Sequence, residues 1–137
     1  MSEFLSISAA LDGHLNGMAS VPPVAWSNTD YTPVIGTLYL RPTLLPGDTV
    51  GATISATGTD EHIGLYQVDI FAPAGAGKNA AIVMADLIAD RFKPVTELTH
   101  STVIVRSVRV SREAATTENG WYRMPVVIQY LSFTTKR

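Results

Sequence analysis

The sequence predicts a single α+β domain: a mostly antiparallel β-sheet with an N-terminal helix and a central helix packed on it. Three observations carry that prediction. Phe4, Ile7, Ala10, Leu11 and Leu15 repeat at helical spacing near the start of the chain. In the middle, a period-2 stretch over 64–71 passes through a Pro- and Gly-rich turn into a helical-period stretch ending at Phe92. Near the end, Asn119-Gly120 is a strong two-residue hairpin signal between a polar segment and a long strand pattern.

The elements follow in order. Ser2 is placed to cap the first helix and Gly17 to end it, and Pro22 and Pro23 rule out its continuation. Residues 24–36 (VAWSNTDYTPVIG) read as a short strand and then a turn-rich loop, with Asn28, Asp30 and Pro33 favouring turns. Residues 37–41 form a short strand that Pro42 and the Leu45-Pro46-Gly47-Asp48 turn bring to an end. In 50–57, Val50, Ala52 and Ile54 alternate with Thr and Gly as a half-buried strand. The loop 58–62 then leads into a strand over 65–71, and the two strands make an antiparallel hairpin. In that second strand Tyr66, Val68 and Ile70 share one face, and Gln67 and Asp69 the other.

The central helix presents Ala80, Val83, Met84, Leu87 and Ile88 as its apolar stripe, closed by Phe92. Residues 103–110 are rich in β-branched side chains and form a strand of imperfect alternation, Ile104, Val108 and Val110 sharing a face with Arg106. The last strand has Tyr122, Met124, Val126, Ile128 and Tyr130 on one face and Trp121, Arg123, Val127, Gln129 and Leu131 on the other. Pro125 inside it argues for an edge strand or a bulge. Trp121, Val127, Leu131 and Phe133 are apolar on the side away from the core. Either helices cover that side too, or it is a protein–protein contact.

At 137 residues the chain suits one domain spanning 1–137, able to bury about two-thirds of its unfolded surface. Hydrophobic residues make up 46% and charged residues only 16%, against ~25% charged in an ordinary soluble domain. An apolar surface patch, covered by oligomerisation, follows from that balance. The net charge of −2, with no dense run of either sign, argues against a footprint for DNA or an anionic membrane. Cysteine is absent, which excludes disulfides, thiolate metal sites and Cys nucleophiles. No apolar run approaches the ~20 residues of a membrane span. Residues 1–18 lack a basic leader region, so a cytoplasmic origin is expected.

The chemical motifs are weak. Gly75 to Lys78 (GAGK) sits between a strand and a helix, like a phosphate loop. However, Ala72 occupies the first glycine position and Asn79 replaces the hydroxyl that would bind Mg²⁺. The two glycines are expected to serve a tight turn, with Lys78 in solvent. Asp60, Glu61 and His62 are consecutive, so their side chains point apart and do not form a ligand set. Asp86 and Asp90 share a helix face but belong to its solvated side. No G-x-S-x-G elbow is present. The residues support no enzyme, no cofactor and no metal.

The arrangement as a whole resembles the tail terminator (tail completion) proteins of long-tailed phages. The matching residues are Gly64, Tyr66, Gln67, Val68, Asp69 and Ile70, then Pro73, Gly75 and Gly77, then Ala85, Asp86, Ile88 and Phe92. Upstream, Ala25-Trp26-Ser27-Asn28, Tyr31, Pro33 and Tyr39-Leu40 look like the family's approach to its sheet. One departure is Lys93-Pro94-Val95, where the family has a glycine-containing turn.

The resemblance implies a structural virion protein at the head-proximal end of the tail, assembled in the host bacterial cytoplasm. It would form a ring, expected to be a homohexamer, that binds the tail-tube protein, stops tube polymerisation and offers a docking surface to a head–tail connector protein. DNA would pass through the lumen without sequence-specific binding. The alternatives are another head–tail connector or tail-tube component, or a small nucleotide-binding enzyme using the Gly75 to Lys78 turn.

Candidate subunit or tube contacts are Asp60, Glu61 and His62 in the 56–62 loop, and Arg112, Glu113 and Glu118 in the polar segment before the hairpin. Arg106, Arg109, Arg112 and Arg123 are expected to lie near one another, and Trp121 and Arg123 are candidate interface anchors.

Overall fold

A computed structural model describes residues 3–51 and 59–135 of the chain. Helix α1 (Glu3–Asn16) leads through a turn-rich segment to strands β1 (Tyr39–Gly51) and β2 (Thr59–Pro73). Helix α2 (Asn79–Arg91) follows, then β3 (Glu97–His100), β4 (Val103–Arg112), β5 (Thr116–Glu118) and β6 (Trp121–Thr135). The strands form one antiparallel sheet in the order β1-β2-β6-β4-β3, with β5 pairing the start of β6. This is the expected α+β architecture. Asn119 and Gly120 both have positive φ, 49° and 83°, as the two-residue hairpin between Glu118 and Trp121 requires. The cap at Ser2 and most of the strand expected over 50–57 lie outside the described residues.

One core lies between the helices and one sheet face. Ile7, Leu11 and Leu15 of α1 and Ile88 and Phe92 of the α2 end meet Leu40, Tyr66, Val68, Ile70, Val105, Val126 and Ile128. Phe92 sits against Tyr66, ring centroids 5.8 Å apart, and against the edge of His14, 5.0 Å. Tyr66 is buried, and its hydroxyl donates to Asp12 Oδ1 at 2.6 Å. Burial raises both the Tyr66 and Asp12 pKa values, with the shared hydrogen bond partly offsetting the rise for Asp12. Gly64 is explained by the same packing: a Cβ there would lie 2.7 Å from Cζ of Tyr130.

Five expectations need correction. Pro42 and the 45–48 turn do not end β1, which continues to Gly51. Leu40 directs both its N–H and C=O off the sheet edge, to Pro23 (2.9 Å) and Ala25 (2.7 Å). By strand alternation Pro42 and Pro46 share that outward phase, so neither removes a ladder bond. The two prolines instead strip donors from an edge strand. The short strand expected after Pro23 reduces to a single bridge, Val24 to Leu40.

Asp60, Glu61 and His62 are not in a loop. They belong to β2, paired with Gly51, Val50 and Thr49 on one side and with Thr134, Phe133 and Ser132 on the other.

Pro125 lies in the central strand, not at an edge. Its carbonyl accepts the Glu113 N–H at 2.9 Å, so its missing donor would also face that side. There β6 changes partner, from β4, ending at Arg112–Val126, to β5, beginning at Thr116–Arg123. No ladder bond is lost at that junction.

The α2 stripe is out of phase with the expected one. The helix buries Ala81, Ala85, Ile88 and Ala89, while Val83 and Leu87 are 58% and 45% exposed. Three alanines on the inner face allow close approach to the sheet, so the larger side chains fall on the outside. In β4 the imperfect alternation has a cause: Val103, Val105 and Ser107 are buried, and a register shift between Ser107 and Arg109 restores Val110 to the core side.

Candidate functional site

Both helices pack on one face of the sheet, so among the described residues the opposite, outer face carries no helix. Strand register divides it into two halves. In one half, cross-strand rows place Tyr39, Phe71 and Arg123 together, next to Arg41, Asp69 and Pro125. Tyr39 stacks on Phe71 with ring centroids 4.8 Å apart and planes 7° apart. Trp121 meets the Tyr39 ring edge-on at 5.1 Å, and Tyr31 reaches it at the same distance from the 25–33 segment.

Beneath these rings the Asp69 side chain is only 3% exposed. Arg123 Nη2 lies 3.1 Å from its Oδ1 and Arg41 Nη2 3.4 Å from its Oδ2. The Gln67 side-chain amide donates to Oδ1 at 2.9 Å. A lone buried carboxylate costs several kcal/mol, and this one is neutralised on both oxygens. The Arg41 guanidinium also lies 4.8 Å from the centre of the Phe71 ring, a cation–π contact. Asp69 therefore fixes two arginines and one amide on the sheet surface.

The other half is open and carries an apolar stripe between Glu61, Arg106 and Arg109. Leu45 pairs with Leu65, Ile63 with Leu131 and Ile104 with Phe133, making one stripe across four strands. Leu45, Leu65, Ile104 and Phe133 are between 37% and 49% exposed. Among the described residues no helix covers the apolar outer side of β6.

The candidate contact residues fall in different places. Trp121 and Arg123 join the aromatic–ionic cluster, with Trp121 half-buried. His62 sits between Thr49 Oγ1 (3.0 Å) and Thr134 Oγ1 (2.7 Å), and Glu61 lies in the outer-face row of Phe133. Arg106 pairs with Glu97 of β3. Arg112 leaves the sheet surface to bind Asp86 of α2, Nε to Oδ1 3.0 Å, tying the end of β4 to the helix. Arg109 stands exposed on the outer face opposite Gln129, and Glu113 and Glu118 are exposed around β5.

The four arginines do not form one cluster, because β4 and β5 pair different stretches of β6. Sequence reasoning missed Arg41, Asp69, Tyr39 and Phe71. Alternation places Asp69 with Gln67 opposite the core face, and nothing near it in sequence announces its two cations.

Gly75 and Gly77 have φ of 82° and 87°, a left-handed backbone that itself calls for glycine. Lys78 precedes α2 without a side-chain cap bond.

A family model described as phage tail terminator protein matches residues 6–130. One solved structure, of a protein whose name states no function, superposes with a TM-score of 0.76 at 26% identity. It covers 96% of this chain and 96% of its own. No curated protein matches the sequence. With the fold, the two-part outer face and a family match over nearly the whole length, the chain belongs to the phage tail terminator family and is a structural component of a phage tail.

Proposed function

We propose that this protein caps the phage tail tube as a ring, stops tube polymerisation and provides the surface on which the head docks. The observation that carries the reading is the open apolar stripe on the outer sheet face in a member of the tail terminator family. Monomeric soluble proteins seldom leave such a stripe uncovered, and a ring component covers it on assembly. The low charged fraction, 16%, agrees with a chain that buries surface against copies of itself and a tube. A net charge of −2 suits a lumen through which DNA slides without being gripped.

The test is tube growth. Tail-tube subunits polymerised with the purified protein should give tubes of arrested length, and tubes capped in this way should join filled heads. Unchanged tube growth at saturating protein would reject the capping role. Arrested tubes that fail to join heads would reject only the docking role.

A further inference from the structure

The fold presents two unpartnered faces with apolar stripes that point in opposite directions. One is the open half of the outer sheet face: Leu45, Leu65, Ile63, Leu131, Phe133 and Ile104, with Arg109 beside it. The other is the outward side of α2. Val83, Asp86, Leu87 and Asp90 are spaced i, i+3, i+4, i+7 and so share one face. Ala81, Ala85 and Ile88 on the reverse side pack onto the sheet. Val83 and Leu87 are 58% and 45% exposed. Asp86 is engaged by Arg112, whereas Asp90 and Arg109 are exposed with no ion-pair partner among the described residues.

Because α2 lies on the core side of the sheet, its outward face is the front of the molecule and the bare sheet face is the back. We propose that the α2 face of one copy docks on the bare sheet face of the next, with Asp90 on the side of Arg109. The occupant of the sheet face is thus a second copy of this chain.

Three features favour that partner. The charges offer one complementary pair, Asp90 with the helix and Arg109 with the sheet, since Asp86 is already held by Arg112, Arg106 by Glu97, and Glu61 lies at the Phe133 end of the sheet face. The faces suit each other in shape, since an amphipathic helix is what covers the opposite side of this same sheet. Lastly, a front-to-back contact is heterologous, the kind that closes into a ring rather than stopping at a two-fold dimer. A standard interface takes roughly 800 Å² from each partner, about a tenth of the 7725 Å² surface, so one copy has room for both contacts. The proposal rests on the ring reading above and adds which surfaces meet.

The experiment uses two full-length variants, Leu87→Asp and Phe133→Asp, both at exposed positions, followed by analytical ultracentrifugation and native mass spectrometry. Wild type is expected to associate, and each variant alone should require at least about tenfold more protein to do so. Mixed, the two variants should form a one-to-one dimer and nothing larger, because only one intact front and one intact back remain. That dimer also shows that both variants are folded.

Wild-type-like assembly of both variants would overturn the proposed surfaces while leaving the ring intact. Loss of assembly without recovery of the mixed dimer would overturn the front-to-back geometry. A wild type that stays monomeric at every concentration would overturn docking between free copies, and the tube-growth test would then judge the capping role separately.

Discussion

His14 and Arg91 each hold the other's backbone: His14 Nε2 donates to the Arg91 carbonyl at 2.7 Å, and Arg91 Nε donates to the His14 carbonyl at 2.9 Å. Both residues lie in the last turn of a helix, where carbonyls lack intrahelical partners, so the exchange caps α1 and α2 against each other. Gly17 leaves room for it, since a Cβ there would meet Arg91 Nη2 at 2.8 Å.

This clamp predicts a pH dependence. Burial lowers the His14 pKa, its bond to the Arg91 carbonyl opposes that shift, and the Arg91 charge adds to it. The folded chain therefore takes up the proton less readily than the unfolded chain, whose histidine titrates near 6.5. Stability from this group is complete above that pH, falls as pH drops through it, and levels off below the folded value. Urea denaturation from pH 8 to 5 should show the loss, and His14→Gln should flatten it.

Asp69 predicts a second loss. Asp69→Asn keeps the shape but leaves Arg123, 26% exposed, facing a neutral group. A cost of about 2–4 kcal/mol is expected in chemical denaturation. Arg41→Met should cost less than Arg123→Met, because Arg41 is 48% exposed and solvent already screens it.

The phase of α2 can be read directly. Ile88→Ala removes a fully buried side chain and should cost about 2–5 kcal/mol. Leu87→Ala, on the outward face, should change monomer stability by no more than about 0.5 kcal/mol. Equal costs at the two positions would contradict the packing described here.

Val95 follows the α2 exit with φ of 69°, a conformation that costs a β-branched residue about 1–2 kcal/mol. Val95 is 73% exposed, and its N–H donates to the Ser107 carbonyl at 2.8 Å, so the backbone holds the strain in place. Val95→Gly should raise stability by about 1 kcal/mol, read as an increase in Tm of several degrees.

Much of the fold was legible in the chain. The helical stripe from Ile7 to Leu15, the alternation from Tyr66 to Ile70 and the Asn119-Gly120 turn each express a local periodicity or backbone preference, although Phe4, expected in that stripe, is 49% exposed. The failures share a cause. Pro42, Pro46 and Pro125 break a strand only if the missing N–H points at a neighbour, and that depends on which strand lies beside them. The burial of Ala81 and Ala85 in place of Val83 depends on how closely α2 approaches the sheet. The Asp69 cluster needs Arg41 and Arg123 from two different neighbouring strands, a pairing no local pattern encodes. The left-handed backbone at Val95 falls in Lys93-Pro94-Val95, the segment where the sequence lacks the family's glycine, but neither the residue nor its strain could be read from the chain.

The capping role is tested most directly by electron microscopy of tails assembled with and without this protein, averaging images of the tube ends. One coaxial ring of added density is expected at a single end of each tube, absent when the protein is omitted. Added density distributed along the tube, or ends that look the same with and without the protein, would contradict it.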